Sequence, residues 1–231
     1  MMPLLELVTS SGLGSLLGMR HALEPDHLAA VSTLVTGERS SARAAWLGAC
    51  WGLGHTLTLL TAGAVLVVLR AEVPASASDA FEFAVALMLV GLGVRAVYLA
   101  ARQGPEGPSR LHQHGRLAHV HAGAPVHVHI GRWTLAQRPL LVGAVPGLAG
   151  SGALTALVLA TLPSTAARLT YMALFGLGST VGMAALSGML GWPLGHVSRH
   201  RALARGVSLA VGCVSTVLGV FWGYALVERL F

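Results

Sequence analysis

Lysine is absent from this sequence and acids are scarce: nine Asp and Glu among 231 residues, with all charged types together at 10%. A soluble domain carries about 25%, so the shortage excludes an ordinary water-facing surface. Only two cysteines occur, Cys50 and Cys213, both inside apolar stretches. That excludes a disulfide framework, and the lack of Cys-x-x-Cys argues against a dithiol redox centre. No His-Glu-x-x-His is present, which removes the zinc-peptidase signature. The formal net charge of +6 rests on arginine alone. The arginines fall between apolar runs, a distribution that topology explains and nucleic-acid binding does not. Met1-Met2-Pro3 lacks a basic leader, and the apolar run outlasts a signal peptide, so the first segment is expected to be a retained helix.

What is abundant is apolar residues, at 54%, and glycine, at 29 residues. Apolar runs cover roughly 44–70, 79–102, 138–162, 166–192 and 205–229, each long enough to span about 30 Å of hydrocarbon. Segment 4–36 is apolar, then polar from Arg20 to His27, then apolar again. A straight helix of that length would reach about 50 Å, so one span kinked or broken near Pro25 is expected. The fold class is therefore an all-α integral membrane protein of about six transmembrane helices. Alternate loops hold Arg39, Arg43, Arg102, Arg110, Arg116, Arg132, Arg138, Arg199, Arg201 and Arg205, against Arg70, Arg168 and Arg229 on the other side. This bias places both termini outward across a bacterial cytoplasmic (inner) membrane.

The halves repeat. Trp46–Leu60 (WLGACWGLGHTLTLL) and Tyr171–Ala185 (YMALFGLGSTVGMAA) share an aromatic residue followed by Gly-Leu-Gly, with Ser179 at the position of His55. Three helices per half require the second half to be inverted, an architecture of secondary transporters. The expected organisation is a first three-helix repeat (1–102), a His-rich cytoplasmic loop (103–137) and a second three-helix repeat (138–231). In the second half, Gly147–Gly152 (GLAGSG) is read as close backbone approach with an unwound turn.

Arg20-His21-Ala22-Leu23-Glu24-Pro25-Asp26-His27 places five ionisable side chains within an apolar span. Each charge at bilayer depth costs at least about 2.5–3.5 kcal/mol, so the group must pair internally or bind something. Arg20 and Glu24, at i and i+4, can form a charge pair, which leaves His21, Asp26 and His27 without a reason. Imidazole and carboxylate together suit a divalent transition metal. Glu24 and His27 share a helical face, whereas His21 and His27 are about 120° apart on an ideal helix. Pro25 cannot donate to the carbonyl of His21, which is expected to be free as a further cation ligand. His55, in Gly54-His55-Thr56, is a second intramembrane histidine. The candidate membrane site is thus His21, Glu24, Asp26, His27 and His55, with Arg20 and Pro25 in charge-pairing and structural roles.

Arg20-His21-Ala22, Glu24 and Asp26-His27, followed by Leu53-Gly54-His55-Thr56, resemble the motifs of the nickel/cobalt transporter family. Glu24, Pro25 and the lack of an acidic motif around Phe175–Met183 look like its shorter, urease-accessory-like branch. The resemblance implies a Ni²⁺ or Co²⁺ permease with no permanently bound cofactor, leaning to uptake, with His21, Asp26 and His27 as selectivity residues. Its partners would be the divalent metal ion and the lipid bilayer, with a homo-oligomer or a metallochaperone open and no nucleic acid.

Three His-x-His pairs, His112/His114, His119/His121 and His127/His129, mark the long loop. Alternate residues of an extended chain share a face, so each pair can capture a metal through two imidazoles. Order is not expected there without metal. Two other readings stay open: a small-anion or amino-acid exporter using Arg20, and a transmembrane thiol-redox carrier through Cys50 and Cys213. Replacing both cysteines by Ala is expected to leave metal flux into proteoliposomes largely intact. Loss of flux in a folded protein would revive the redox reading.

Overall fold

The computed structural model describes residues 4–36, 38, 40–71, 73–102, 110–114, 117–121, 127–130, 133–162, 164–197 and 200–230; for 4–11, the strands and scattered helix positions it describes the backbone alone. The elements are α1 (Leu4–His21), α2 (Pro25–Val35), α3 (Ser41–Leu69), α4 (Ala75–Arg102), β1 (Arg110–His114), β2 (Leu117–His121), β3 (His127–Ile130), β4 (Trp133–Ala136), α5 (Gln137–Thr161), α6 (Thr165–Val197) and α7 (Arg201–Leu230). Among the described residues, α3, α4, α6 and α7 contain stretches long and apolar enough to cross a membrane. Large apolar side chains such as Val68, Leu141, Met189 and Phe221 point outward from the bundle, as lipid contact requires.

The first segment is broken. Glu24 precedes a proline, which disfavours helical geometry for it, and its backbone is extended at φ −65° and ψ 148°. Pro25 then opens α2 at the position where its missing N–H costs nothing.

The connecting segment departs from the expectation of an unordered loop around His112, His114, His119, His121, His127 and His129. It forms two antiparallel hairpins, β1 with β2 and β3 with β4, and all six histidines stand on their strands. The alternation of histidine with Leu111, Val120, Val128 and Ile130 has the two-residue period of a strand, and backbone pairing needs no metal. The register of the first hairpin sets His112 opposite His119, so His112, His114, His119 and His121 fall on one face. In the second, His127 pairs with Ala136 and His129 with Thr134, so His127 and His129 share a face without facing further histidines across the strands.

Helix direction follows from the packing partners. Along α3 and α6, Ala44 meets Gly191, Gly48 meets Ser187, Gly52 meets Met183 and Thr56 meets Gly176, so the two run antiparallel. Gly14 meets Tyr171 and Gly18 meets Phe175, so α1 runs parallel to α6. With α7 antiparallel to α4 as well (Gly212 meets Gly93 and Gly219 meets Ala86), α1 starts and α7 ends on one face of the bundle, the terminal face, and the hairpins join helices at the opposite, connector face.

The crossings are very close. A Cβ at Gly54 would fall 2.0 Å from the Leu140 carbonyl oxygen, and one at Gly178 2.1 Å from that of Ser15. Likewise, a Cβ at Gly143 would meet the Trp51 carbonyl at 2.0 Å and one at Gly18 the Phe175 carbonyl at 2.0 Å. At the centre, Thr56 donates to the Gly176 carbonyl at 2.7 Å, and the hydroxyls of Thr56 and Thr180 are 2.8 Å apart. The GLAGSG stretch is not unwound: α5 is helical through it, with Pro146 inside. Its close approach is real, because a Cβ at Gly147 would lie 2.4 Å from the His55 carbonyl.

Gly54→Leu is expected to cost at least about 1–3 kcal/mol by overpacking, seen as a lower thermal midpoint in detergent. Gly91→Ala, at a site with nothing within 4 Å, should leave the midpoint unchanged or raised.

Candidate metal site

The helix break aims the histidines at one another. Leu23 N–H donates to the Arg20 carbonyl at 2.9 Å and Glu24 N–H to the His21 carbonyl at 3.0 Å, forming a tight turn between α1 and α2. The His21 carbonyl is therefore not free, because the turn supplies the donor that Pro25 lacks. The turn also cancels the angle that an unbroken helix would put between His21 and His27. Their rings are 4.5 Å apart. His55 enters from α3, fourteen residues from either end of Ser41–Leu69, hence near mid-depth. Its ring is 5.2 Å from that of His21 and 5.3 Å from that of His27.

Each of the three histidines offers a nitrogen, and these atoms lie within 4.8 Å of one another. Imidazole nitrogens on a shared ion, bonded at about 2.0–2.1 Å, are at most ~4.2 Å apart. Modest side-chain rotation closes that difference. His27 and His55 are buried at 2% and 0% exposure. His21 Nε2, both nitrogens of His27 and of His55, and Asp26 Oδ1 are buried without a hydrogen-bond partner. Buried polar atoms are nearly always satisfied, so these converging unpartnered atoms make the cluster a candidate cation site.

The carboxylates stand behind the rings. Glu24 Oε1 is 2.9 Å from His21 Nδ1, and Asp26 Oδ2 is 2.9 Å from His27 Nδ1. The second contact is at ion-pair distance without hydrogen-bond alignment. A carboxylate on one imidazole nitrogen leaves the other for metal and fixes the ring. Glu24, Asp26 and His27 also gather one ligand atom each within 4.8 Å. Glu24 turns to His21, so the expected Arg20–Glu24 charge pair is not formed; the break removes the helical i, i+4 register on which it depended.

A cleft of about 590 Å³ opens beside His21, lined by Arg20, Glu24 and Pro25 with Leu157, Tyr171 and Phe175. Leu157 lies four residues from the end of α5, about 6 Å, so the cleft extends toward the terminal face. Sequence reasoning missed two aromatic neighbours. The Phe175 ring is 5.3 Å from that of His21, and the Trp51 ring is 5.2 Å from that of His27. Both are the aromatic residue of the repeated aromatic-Gly-Leu-Gly motif, which was the available signal. The six histidines expected to form an auxiliary metal-binding set, His112, His114, His119, His121, His127 and His129, lie on the four-stranded connector apart from this cluster in the chain, and the side chains of all six are outside the described residues. Cys50 is buried and Cys213 exposed, and they form no disulfide with each other.

The family model for high-affinity nickel-transport proteins matches residues 7–227. The chain is 33% identical over 228 residues to the urease accessory protein UreH of Bacillus sp. (strain TB-90), covering 98% of this chain and 96% of that one. No solved structure matches.

Titration of the detergent-purified protein with Ni²⁺ should show loss of the membrane-site binding in His27→Ala and in His55→Ala. Glu24→Gln should weaken it by about 10–100-fold, the usual cost of losing a ring-orienting partner. Equal, near-normal affinity in all three would sink the site.

Proposed function

The chain belongs to the family of high-affinity nickel-transport proteins, and from that premise we propose that His21, His27 and His55 form the ion site of the nickel/cobalt permease. The protein is a membrane transporter rather than an enzyme. The observation that carries the site is the convergence of three histidines with unpartnered nitrogens near mid-depth. Glu24 orients His21, Asp26 lies at ion-pair distance from His27, and both carboxylates supply negative charge that offsets the dehydration of a divalent ion. Arg20, at the cleft, keeps the local charge from becoming strongly negative before the ion arrives.

The architecture we propose is six spans in two inverted three-helix halves, with α1 and α2 together as the first span. The paired close approaches support it. Gly54 on Leu140 and Gly178 on Ser15 correspond under a shift of 124 or 125 residues, as do Gly143 on Trp51 and Gly18 on Phe175. Thr56 and Thr180 correspond under the same shift and hydrogen-bond to each other, as residues on a two-fold axis do. In this reading the halves are 1–102 and 138–231.

The direction we favour is uptake. The arginine bias supports an outward terminal face, and the cleft extends from His21 toward that face. The hairpins would then lie in the cytoplasm of a cell whose inner membrane holds the protein. Four histidines sharing one face of the first hairpin suit capture of the unloaded metal. His127 and His129 add one further pair on the second.

Radiometal flux in proteoliposomes, with Ni²⁺, Co²⁺, Zn²⁺ and Mn²⁺ in competition, tests the whole reading. Ni²⁺ or Co²⁺ should prevail, and His27→Ala and His21→Ala should abolish flux at normal protein levels. Deleting residues 111–130 should remove metal bound at pH 7.5 and released at pH 5.5, as imidazole protonates, while flux persists. Unchanged metal stoichiometry would make the hairpins a simple linker. Abolished flux in a folded deletion would place them in the transport path.

A further inference from the structure

The histidine cluster lies between two aromatic side chains that occupy corresponding positions in the two halves. Trp51 follows the first residue of α3, Ser41, by ten positions, and Phe175 follows the first residue of α6, Thr165, by ten. The two helices start at opposite faces, so each ring stands about 15 Å in from its own face. Each touches a different histidine: Trp51 that of His27, Phe175 that of His21. The surroundings differ sharply. Trp51 is fully buried in a packed apolar cluster with Val31, Val35, Ala44 and Met183, which closes the connector side. Phe175, 9% exposed, also packs in an apolar cluster, with Leu154, Tyr171 and Met172, but its cluster borders the open cleft on the terminal side, of which the ring forms a wall.

We propose that Phe175 and Trp51 are the paired gates of the transport cycle. This rests on the metal-site reading above. In this structure the Trp51 gate is shut, and the cleft, with Phe175 as one wall, reaches His21. The cycle exchanges those roles: α1 and α2 move against α6 so that the packing around Trp51 loosens while Phe175 closes over His21. An aromatic ring suits this task on two counts. It fills the path with apolar volume, and its face attracts a desolvated cation, which lowers the barrier to passage. Ser187, fully buried with an unpartnered hydroxyl on the connector side of Trp51, lies where the inner path would open.

Two single-cysteine reporters test this in the Cys50→Ala/Cys213→Ala chain reconstituted in vesicles. Leu157→Cys sits on the cleft wall and Ser187→Cys in the closed seal. A membrane-impermeant maleimide should label the first quickly and the second slowly. Phe175→Trp enlarges the outer gate and Trp51→Phe shrinks the inner one, so both favour the inward-open state. The decisive signals are the distant ones. Phe175→Trp should raise Ser187→Cys labelling about tenfold, and Trp51→Phe should lower Leu157→Cys labelling by a similar factor, as one shifted equilibrium demands. If each substitution alters only the reporter beside it, the rings are packing alone and the proposal fails. Should Phe175→Trp not fold, the effect of Trp51→Phe on the cleft reporter decides by itself. Ni²⁺ binding by the unmodified chain is measured in parallel. Its absence would sink the ion site, while the labelling still judges the gates.

Discussion

Hydrocarbon leaves a polar group nowhere to go but inward. That constraint organises this molecule. His21, Asp26, His27 and His55 could not face lipid without a cost of several kcal/mol each, so the helices that carry them must close around them. Closing is made feasible by glycine. At Gly18, Gly54, Gly143 and Gly178 the next helix's backbone occupies the volume that a Cβ would need. In a bilayer there is little hydrophobic drive between helices, and packing through small residues takes its place.

The same constraint explains the break between α1 and α2. A continuous helix would hold His21 and His27 on different faces, and one of them would point away from the bundle interior. Pro25 and the extended Glu24 end one helix and restart another, which turns both rings to one centre. The Glu24 and Asp26 carboxylates come with them, each 2.9 Å from an imidazole nitrogen. Local backbone chemistry thus builds most of the proposed ion site from seven consecutive residues, and α3 adds His55.

The division between halves is equally physical. One half supplies all the ionisable groups of the proposed site. The other supplies Ser179 where the first has His55, together with Phe175 and the close-packed glycines. In the proposed two-half architecture, such asymmetric filling suits a single ion site near the centre.

Much of this is legible in the sequence. Low charge and long apolar runs fix the helices within a few residues, as the run 44–70 and α3 at Ser41–Leu69 illustrate, because burial in hydrocarbon demands length and hydropathy that composition reports directly. The polar interruption from Arg20 to His27 likewise announces itself, since its insertion cost needs a reason. The expectation of an unordered connector fails because His127-Val128-His129-Ile130 alternates with the period of a strand, and backbone pairing orders it without metal. What the sequence leaves open is every relation that depends on approach between distant segments. Glu24 turns to His21 rather than Arg20, the His21 carbonyl is satisfied within a turn, and Trp51 and Phe175 flank the histidines from opposite sides. Periodicity describes a residue's face on its own helix and carries no information on which face of which other helix it meets. Those contacts were decided only when glycine allowed α1, α3, α5 and α6 to cross at backbone distance.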